Sequence, residues 1–536
     1  MSTQFRPLSL PPGVVATPTK AMQSTNYSEV NLVRWREGQL TPMGGQAQFT
    51  NQVDGVENYR FASRCKMIHG WYGLDGEYHI AYLCESNLYV DTGGTLTDIT
   101  PADGITPPSG LVGGFGDGLY NVDTYGTPRT IPGSVAITKV PDAYSLDNFG
   151  AILYAMTSSD SRLLMWDPAV GGPAVIQPAS GSAGPVPHGR CFVITPDRFL
   201  MMFGTTQDRT SDGSSRRFAW CDEENPGAWD YDNVTSQAGY LDIEPASPII
   251  CAVSTRVGIL IWTGKKVYVS RFLGAPYIYN YVELGDGTCP WSPQSMTTTS
   301  ALTLWMSEQG VFSYDGTTVA PVVCPIRPWI DDNIDDIAVR ELSFCAHLGE
   351  FSEWWWFYPT FGSTFNARVG VYNYKEGWWS QCRMSRSAGI TSSYTSHPIF
   401  ADDYVAFQHE TGAVYANASM PVVLPFVETF NLNLLSGSRL ITVKQMIPDI
   451  EAVDATDPTA IANAIASLRY SLFYRNSRSL GAPELQTTPV PVRSDGYVDF
   501  RTTGRDQRLR IDVATPVIQP FTLGQHLIDA VARGDR

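Results

Sequence analysis

Between about residue 60 and residue 420 one local pattern keeps returning. An apolar, strand-like run is followed by a short break, then by two more runs around a turn that contains glycine. The turn halves read LYVDTGGTLTDI (88–99), LMWDPAVGGPAVI (164–176), LIWTGKKVYV (260–269), VFSYDGTTVAPV (311–322), VYNYKEGWWSQC (371–382) and VAFQHETGAVYA (405–416), and a further unit is hidden around Phe199–Trp220. Several intervals fall near the forty to fifty residues of a propeller blade. The expectation is an all-β chain, an irregular β-propeller of six or seven blades, with a sandwich or tandem barrels as rivals. Asp315-Gly316 reads as the best hairpin turn, since a type I′ turn needs the positive φ that glycine permits.

Composition supports strands over helices. Charged residues are 17% of the chain and aromatics 12%, with 47 Gly and 37 Pro; many short strands joined by tight turns use residues in this way. One segment breaks the pattern with helical spacing: Trp329, Ile330, Ile334 and Ile337 predict one short amphipathic helix over Arg327–Leu342. Another break, over 101–147, is a long Gly/Pro-rich excursion, and loops of that length inside a compact domain are functional or mobile.

Three regions follow. Residues 1–60 read as an N-terminal arm and hairpin, with Val33 and Trp35 alternating against Arg34 and Arg36 before the Glu37-Gly38 turn. Residues 61–420 hold the propeller-like domain. Residues 421–536 form an additional C-terminal antiparallel β domain, because Leu440–Gln445, Leu468–Tyr474, Tyr497–Thr502 and Arg508–Val513 alternate apolar with polar residues.

Chemistry is hard to find. Asp331-x-Asn333-x-Asp335 begins like a calcium loop, but Asp336 stands where the loop needs Gly and Leu342 where it needs Glu. Gly113, Gly114, Phe115, Gly116, Asp117 and Gly118 look like a phosphate cradle, yet no Lys-Ser/Thr follows; they read as a flexible loop. The seven histidines are dispersed, and no H-E-x-x-H or G-x-S-x-G occurs. The expectation is therefore no enzyme, no cofactor and no metal. Nine cysteines without a C-x-x-C pair read as buried, reduced thiols of a cytoplasmic product. Residues 1–12 lack the apolar core of a secretory signal, and no run is long enough to cross a membrane as a helix. The net charge of −16 argues against gripping nucleic acid through its phosphates.

Two rivals to a structural role remain. A propeller glycosidase needs paired carboxylates in the central cleft. A carbohydrate-binding, receptor-binding protein would expose the rings of Trp354-Trp355-Trp356-Phe357-Tyr358 and Trp378-Trp379, which more often pack a core.

The stretch Asn31-Leu-Val-Arg-Trp-Arg-Glu-Gly-Gln-Leu-Thr-Pro-Met-Gly-Gly45 resembles an N-terminal element of phage tail proteins, carried here by Asn31, Leu32, Arg34, Trp35, Gly38, Pro42, Gly44 and Gly45. Further segments are similar, in order, to the tail nozzle (tail hub) proteins of short-tailed, podovirus-type bacteriophages: 214–222, 264–269, 285–289, 309–316, the helix at 327–342 and 506–512. The resemblance implies a homohexameric virion protein, assembled in the host cytoplasm into the phage tail. Such a ring conducts double-stranded DNA without specific binding, and the glycine loop Gly113, Gly114, Phe115, Gly116, Asp117, Gly118 is then a candidate channel or rim loop. It would carry a head–tail adaptor ring above, tail fibres or spikes at the side, and a needle or plug below.

Overall fold

The computed structural model describes residues 5–16, 26–49, 59–108, 140–180, 184–206, 213–244, 247–336, 338–391, 395–432, 434, 440–452, 458–477, 483–517 and 520–533. The described residues form seven four-stranded antiparallel sheets in meander order. Their first strands, Cys65–Tyr72, Tyr144–Phe149, Cys191–Ile194, Ile249–Thr255, Met296–Thr298, Phe344–Leu348 and Ala388–Ile390, each touch the next, and the seventh touches the first. This is a closed seven-bladed β-propeller. Sealing between blades is apolar throughout. Trp71, Leu83 and Val90 of blade 1 meet Leu146 and Leu153 of blade 2, and around the ring Ile80 and Tyr82 of blade 1 meet Ile399 and Ala401 of blade 7.

The last blade is built from both halves of the sequence. Ala388–Ile390, Ile399–Asp402 and Val405–His409 are completed by Gln46–Gln48, whose register sets Gln46 opposite His409 and Phe407 opposite Gln48. The N-terminal region is thus shared. Its outermost contribution to the propeller is Gln46–Gln48, while its earlier strands join the C-terminal β domain.

That domain has three sheets, and each takes one N-terminal piece. Phe5–Pro7 pairs with Leu527–Arg533, followed by Leu440–Ile447 and then Val498–Gly504. Tyr27–Asn31 pairs with Phe426–Thr429, followed by Asp506–Val513 and Leu468–Arg475. The hairpin Val33–Arg36/Gln39–Pro42 pairs with Phe521–Leu523, followed by Ile450–Ala452. The inner faces merge with blades 5 and 6 into one core, in which Trp35, Val443, Leu472 and Ile528 share a cluster with Met306, Ile330, Trp354, Trp356 and Trp379.

Three local expectations differ from what forms. The helix over Arg327–Leu342 splits into α1 (Arg327–Asp331) and α2 (Val339–Leu342). Between them Ile334 bridges to Thr360, and the Asp335 carboxylate accepts the Ala338 N–H at 2.9 Å; a short acidic side chain that caps backbone donors restarts a helix instead of continuing it. A third helix, α3 (Pro458–Ser467), was not anticipated, although a proline in the first turn before an alanine-rich run favours one. At Asp315-Gly316 only the glycine has positive φ (98°), and Asp315 accepts the N–H groups of Thr317 and Thr318 at 2.8 Å. That is an Asx turn, not a type I′ turn. The excursion also ends early, because Tyr144 already opens the inner strand of blade 2.

Candidate functional site

The motif at 31–45 folds into a clasp between the propeller and the C-terminal sheets. Its turn obeys the two-residue hairpin rule: Glu37 and Gly38 both have positive φ, 50° and 79°, as a type I′ turn requires. Leu32 also has positive φ (51°) and is buried, with its carbonyl accepting the Met43 N–H at 2.9 Å. This kink lets Leu32 and Met43 enter the core between blades 6 and 7, beside Trp355 and Phe400, while Val33 and Trp35 turn the other way.

Asn31 is fully buried and fully used. Its Nδ2 donates to the carbonyls of Val423 (2.8 Å) and Leu424 (3.1 Å), and its Oδ1 accepts the Arg383 N–H at 2.7 Å. One side chain therefore joins the N-terminal strand, the end of blade 6 and the link into the C-terminal domain. Trp35 packs on Tyr27 with ring centroids 5.3 Å apart, and Pro42 stands opposite Val33 in the hairpin.

Arg34 departs from the simple alternation. The pattern places Arg34 and Arg36 on the wet side, yet Arg34 is 3% exposed while Arg36 is exposed. Arg34 Nη2 donates to Glu410 Oε1 at 2.6 Å, Nε lies 3.1 Å from Glu353 Oε1, and the guanidinium sits 3.7 Å over the Phe351 ring. Burial alone would lower the Arg34 pKa, but the two glutamates outweigh it and hold the guanidinium charged. Burial raises the Glu353 pKa and Arg34 opposes that rise. The Glu410 carboxylate also accepts the Gly44 N–H at 2.9 Å. A Cβ on Gly44 would stand 2.4 Å from Glu410 Oε2 and 2.7 Å from its Cα, so glycine is needed for this close approach. Gly45 accepts the Thr411 N–H at 3.1 Å and leads directly into the last blade. Nothing in the sequence paired Arg34 with Glu353 or Glu410; an arginine flanked by core residues on a short strand was the available signal.

The loop Gly113, Gly114, Phe115, Gly116, Asp117, Gly118 lies outside the described residues.

A second place to look is the propeller axis. A cavity of about 440 Å³ is walled by residues at or just before all seven inner strands, including Met67, Phe192, Val253 and Phe344. Its ionisable lining residues include Lys66, His69 and Asp147. His69 Nε2 is 2.8 Å from Asn148 Oδ1 and 3.6 Å from Asp147 Oδ1, and burial raises the Asp147 pKa. Where the inner strands begin, Lys66 Nζ donates to the Glu341 carbonyl of α2 at 3.0 Å, and burial lowers its pKa. One carboxylate among the described lining residues does not make the facing pair of a glycosidase. The described residues also hold no group of three or more His, Cys, Asp or Glu side chains suited to a metal ion.

The tryptophan run is packing. Trp354, Trp355, Trp356, Phe357 and Tyr358 are each at most 1% exposed in the second strand of blade 6. Alternation sends Trp354, Trp356 and Tyr358 to the shared core and Trp355 and Phe357 to blade 7. No ring of this run offers a face to a sugar.

No protein-family model matches the chain, and no curated protein matches it. Among solved structures it is similar to a streptogramin B lyase, at 8% identity over 68% of this chain and 97% of that one with a TM-score of 0.33. It is also similar to a catalytically inactive virginiamycin B lyase from Staphylococcus aureus with quinupristin (8%, 68% and 98%, TM-score 0.35) and to the β-propeller domain of Swd1 from Myceliophteria thermophila (8%, 64% and 96%, TM-score 0.35). Likeness at this level adds nothing to what the strand order already shows.

Proposed function

We propose that this chain is a structural virion protein, one of six copies forming the nozzle ring of a short phage tail. The observation that carries this reading is the clasp. The residues resembling the tail-protein element, Asn31, Leu32, Arg34 and Gly44 among them, are spent on joining the propeller to the C-terminal β domain. A ring closes by repeating one rotation between rigid subunits, and a fixed angle between domains is what such a subunit must supply. The acidic balance fits a passage through which phosphates slide instead of binding. That passage is the hole between copies, because the cavity on the propeller axis is far too small for a duplex.

Immunogold electron microscopy on particles released by cells encoding the chain tests the proposal. Label at the distal end of a short tail supports it, and particles without label overturn it. Incubation with cell-surface polysaccharide separates the rivals: turnover favours a glycosidase, and retention without turnover favours a carbohydrate-binding protein.

A further inference from the structure

Charge is divided unevenly along the chain. Residues 1–420 carry 25 Lys and Arg against 41 Asp and Glu, a balance of −16, whereas residues 421–536 carry 12 of each. The C-terminal sheets pack on blade 6 through its outer strand, Trp378–Cys382, and in a seven-membered ring the blades farthest from blade 6 are 2 and 3.

From there round to blade 4, one propeller face is apolar at its tips. In a four-stranded meander the first and third turns share a face, and this face is the same for every blade. The third turns of blades 2, 3 and 4 present Val170 (80% exposed), Val234 (100%), and Leu273 and Tyr277 (57% and 76%). Around them stand Asp167, Asp197, Glu223, Glu224, Asp230 and Asp232. The cations nearby are Arg198, itself paired with Glu224 at 2.6 Å, Arg256 and Arg271.

The C-terminal domain carries a complementary surface. In the sheet built on Leu527–Arg533, the residues Ile528, Ala530, Val443, Val498 and Phe500 face the core, so alternation turns Arg501 and Arg533 outward. Both are exposed. Lys444 is the extra residue where Leu440–Ile447 bulges against Leu527–Arg533, and towards the strand on its other side it lies opposite Phe500 and Arg501. None of the three cations has an ionic partner among the described residues. Of the acids on this face, Asp499 is held by Arg493 at 2.8 Å and Asp529 is buried.

We propose that copies of this chain join head to tail, the acid-rimmed apolar tips of blades 2 to 4 of one copy seating on the Lys444–Arg501–Arg533 face of the next. The inference rests on the ring reading above and says which surfaces make the ring. Two acidic faces would repel each other, so the contact is between unlike patches, the kind that closes into rings. Opposed charges orient the encounter, and the buried tips supply the apolar contact.

The test uses the full chain in sedimentation and mass photometry, beside a tip variant (Leu273→Asp with Tyr277→Asp) and a face variant (Lys444→Glu, Arg501→Glu and Arg533→Glu). The wild type is expected to associate as concentration rises and to weaken in high salt, where surface charges are screened. Each variant should associate at least tenfold more weakly while keeping the wild-type melting temperature, since every substituted side chain is exposed or half-exposed. Mixed together, the two variants should give a one-to-one dimer that grows no further, because each retains one competent patch. A wild type that stays monomeric at every concentration overturns the inference, and the acid-rimmed tips then belong to a different, basic partner. Association unmoved by both variants overturns it too. If six-copy rings still form in that case, the nozzle reading stands and this interface falls; gold labelling of particles decides the nozzle reading independently.

Discussion

Arg34 Nη2 donates to Glu410 Oε1 at 2.6 Å across 376 residues of sequence, with both side chains nearly sealed from water. The contact ties the first hairpin to the last blade, and Glu353 adds blade 6 to the same guanidinium. A buried charge group of this kind is costly to break from one side, because the remaining partners are left uncompensated.

Arg34→Met is therefore expected to destabilise the chain by about 3–5 kcal/mol, read by urea unfolding. Adding Glu353→Gln and Glu410→Gln should recover part of that loss. Strict additivity of the three changes would show that the groups do not act together.

Gly44→Ala is expected to cost at least about 1–3 kcal/mol, the usual range for forcing atoms into a filled site, since its Cβ meets the Glu410 backbone. Gly285 has open space around it and no positive φ, so Gly285→Ala should leave the melting temperature nearly unchanged. Equal melting temperatures for the two variants would remove the close approach as a constraint.

Stability should fall in mild acid. His526 is buried, and burial lowers its pKa to about 4, with Asp449 partly opposing; its Nδ1 accepts the Asp449 N–H at 3.0 Å and so carries no proton. The unfolded chain takes up that proton near pH 6.5 while the folded chain does not. The stabilisation is complete above about pH 6.5 and disappears as pH drops towards 4, by about 3 kcal/mol. His409, which accepts a hydrogen bond from Arg386 Nε at 2.8 Å and is also lowered by burial, acts in the same direction. His526→Gln should flatten the curve of unfolding free energy against pH between 4 and 6.5, and an unchanged curve would refute the assignment.

Thiol chemistry should be silent in the native state. All nine cysteines are free, and burial pushes up the thiols of Cys191 (to about 11) and of Cys289, Cys324 and Cys382 (to about 12). A thiolate reagent at pH 8 should react slowly with the folded chain and with nine groups after unfolding. A rapid native reaction would count against this packing.

The blades were legible because their strands are short, apolar and punctuated by glycine: Leu260–Trp262 and Val311–Tyr314 fall inside strands as expected. Local signals of this sort survive because they depend on neighbours in sequence. What was not legible depends on distant partners. The burial of Arg34 follows from Glu353 and Glu410, and the role of Gln46–Gln48 follows from His409. No reading of 31–48 by itself contains those residues. The helix break at Asp332–Asp336 was visible in principle, since three aspartates among five residues resist a continuous helix. The apolar spacing of Trp329, Ile330 and Ile334 outweighed that sign; Ile330 and Ile334 do reach the core, but from two separate turns of chain.

The shared seventh blade has a consequence for biosynthesis. Residues 46–48 leave the ribosome about 360 residues ahead of the strand they pair with, Val405–His409. At roughly 5–20 residues per second, the nascent N-terminus waits tens of seconds with its hydrogen-bonding edge unsatisfied. Over that interval six blades can stack in succession without a closed circle, and the circle snaps shut in one late event whose loop-closure entropy is large. Closure of the propeller is thus timed by translation of Val405–His409.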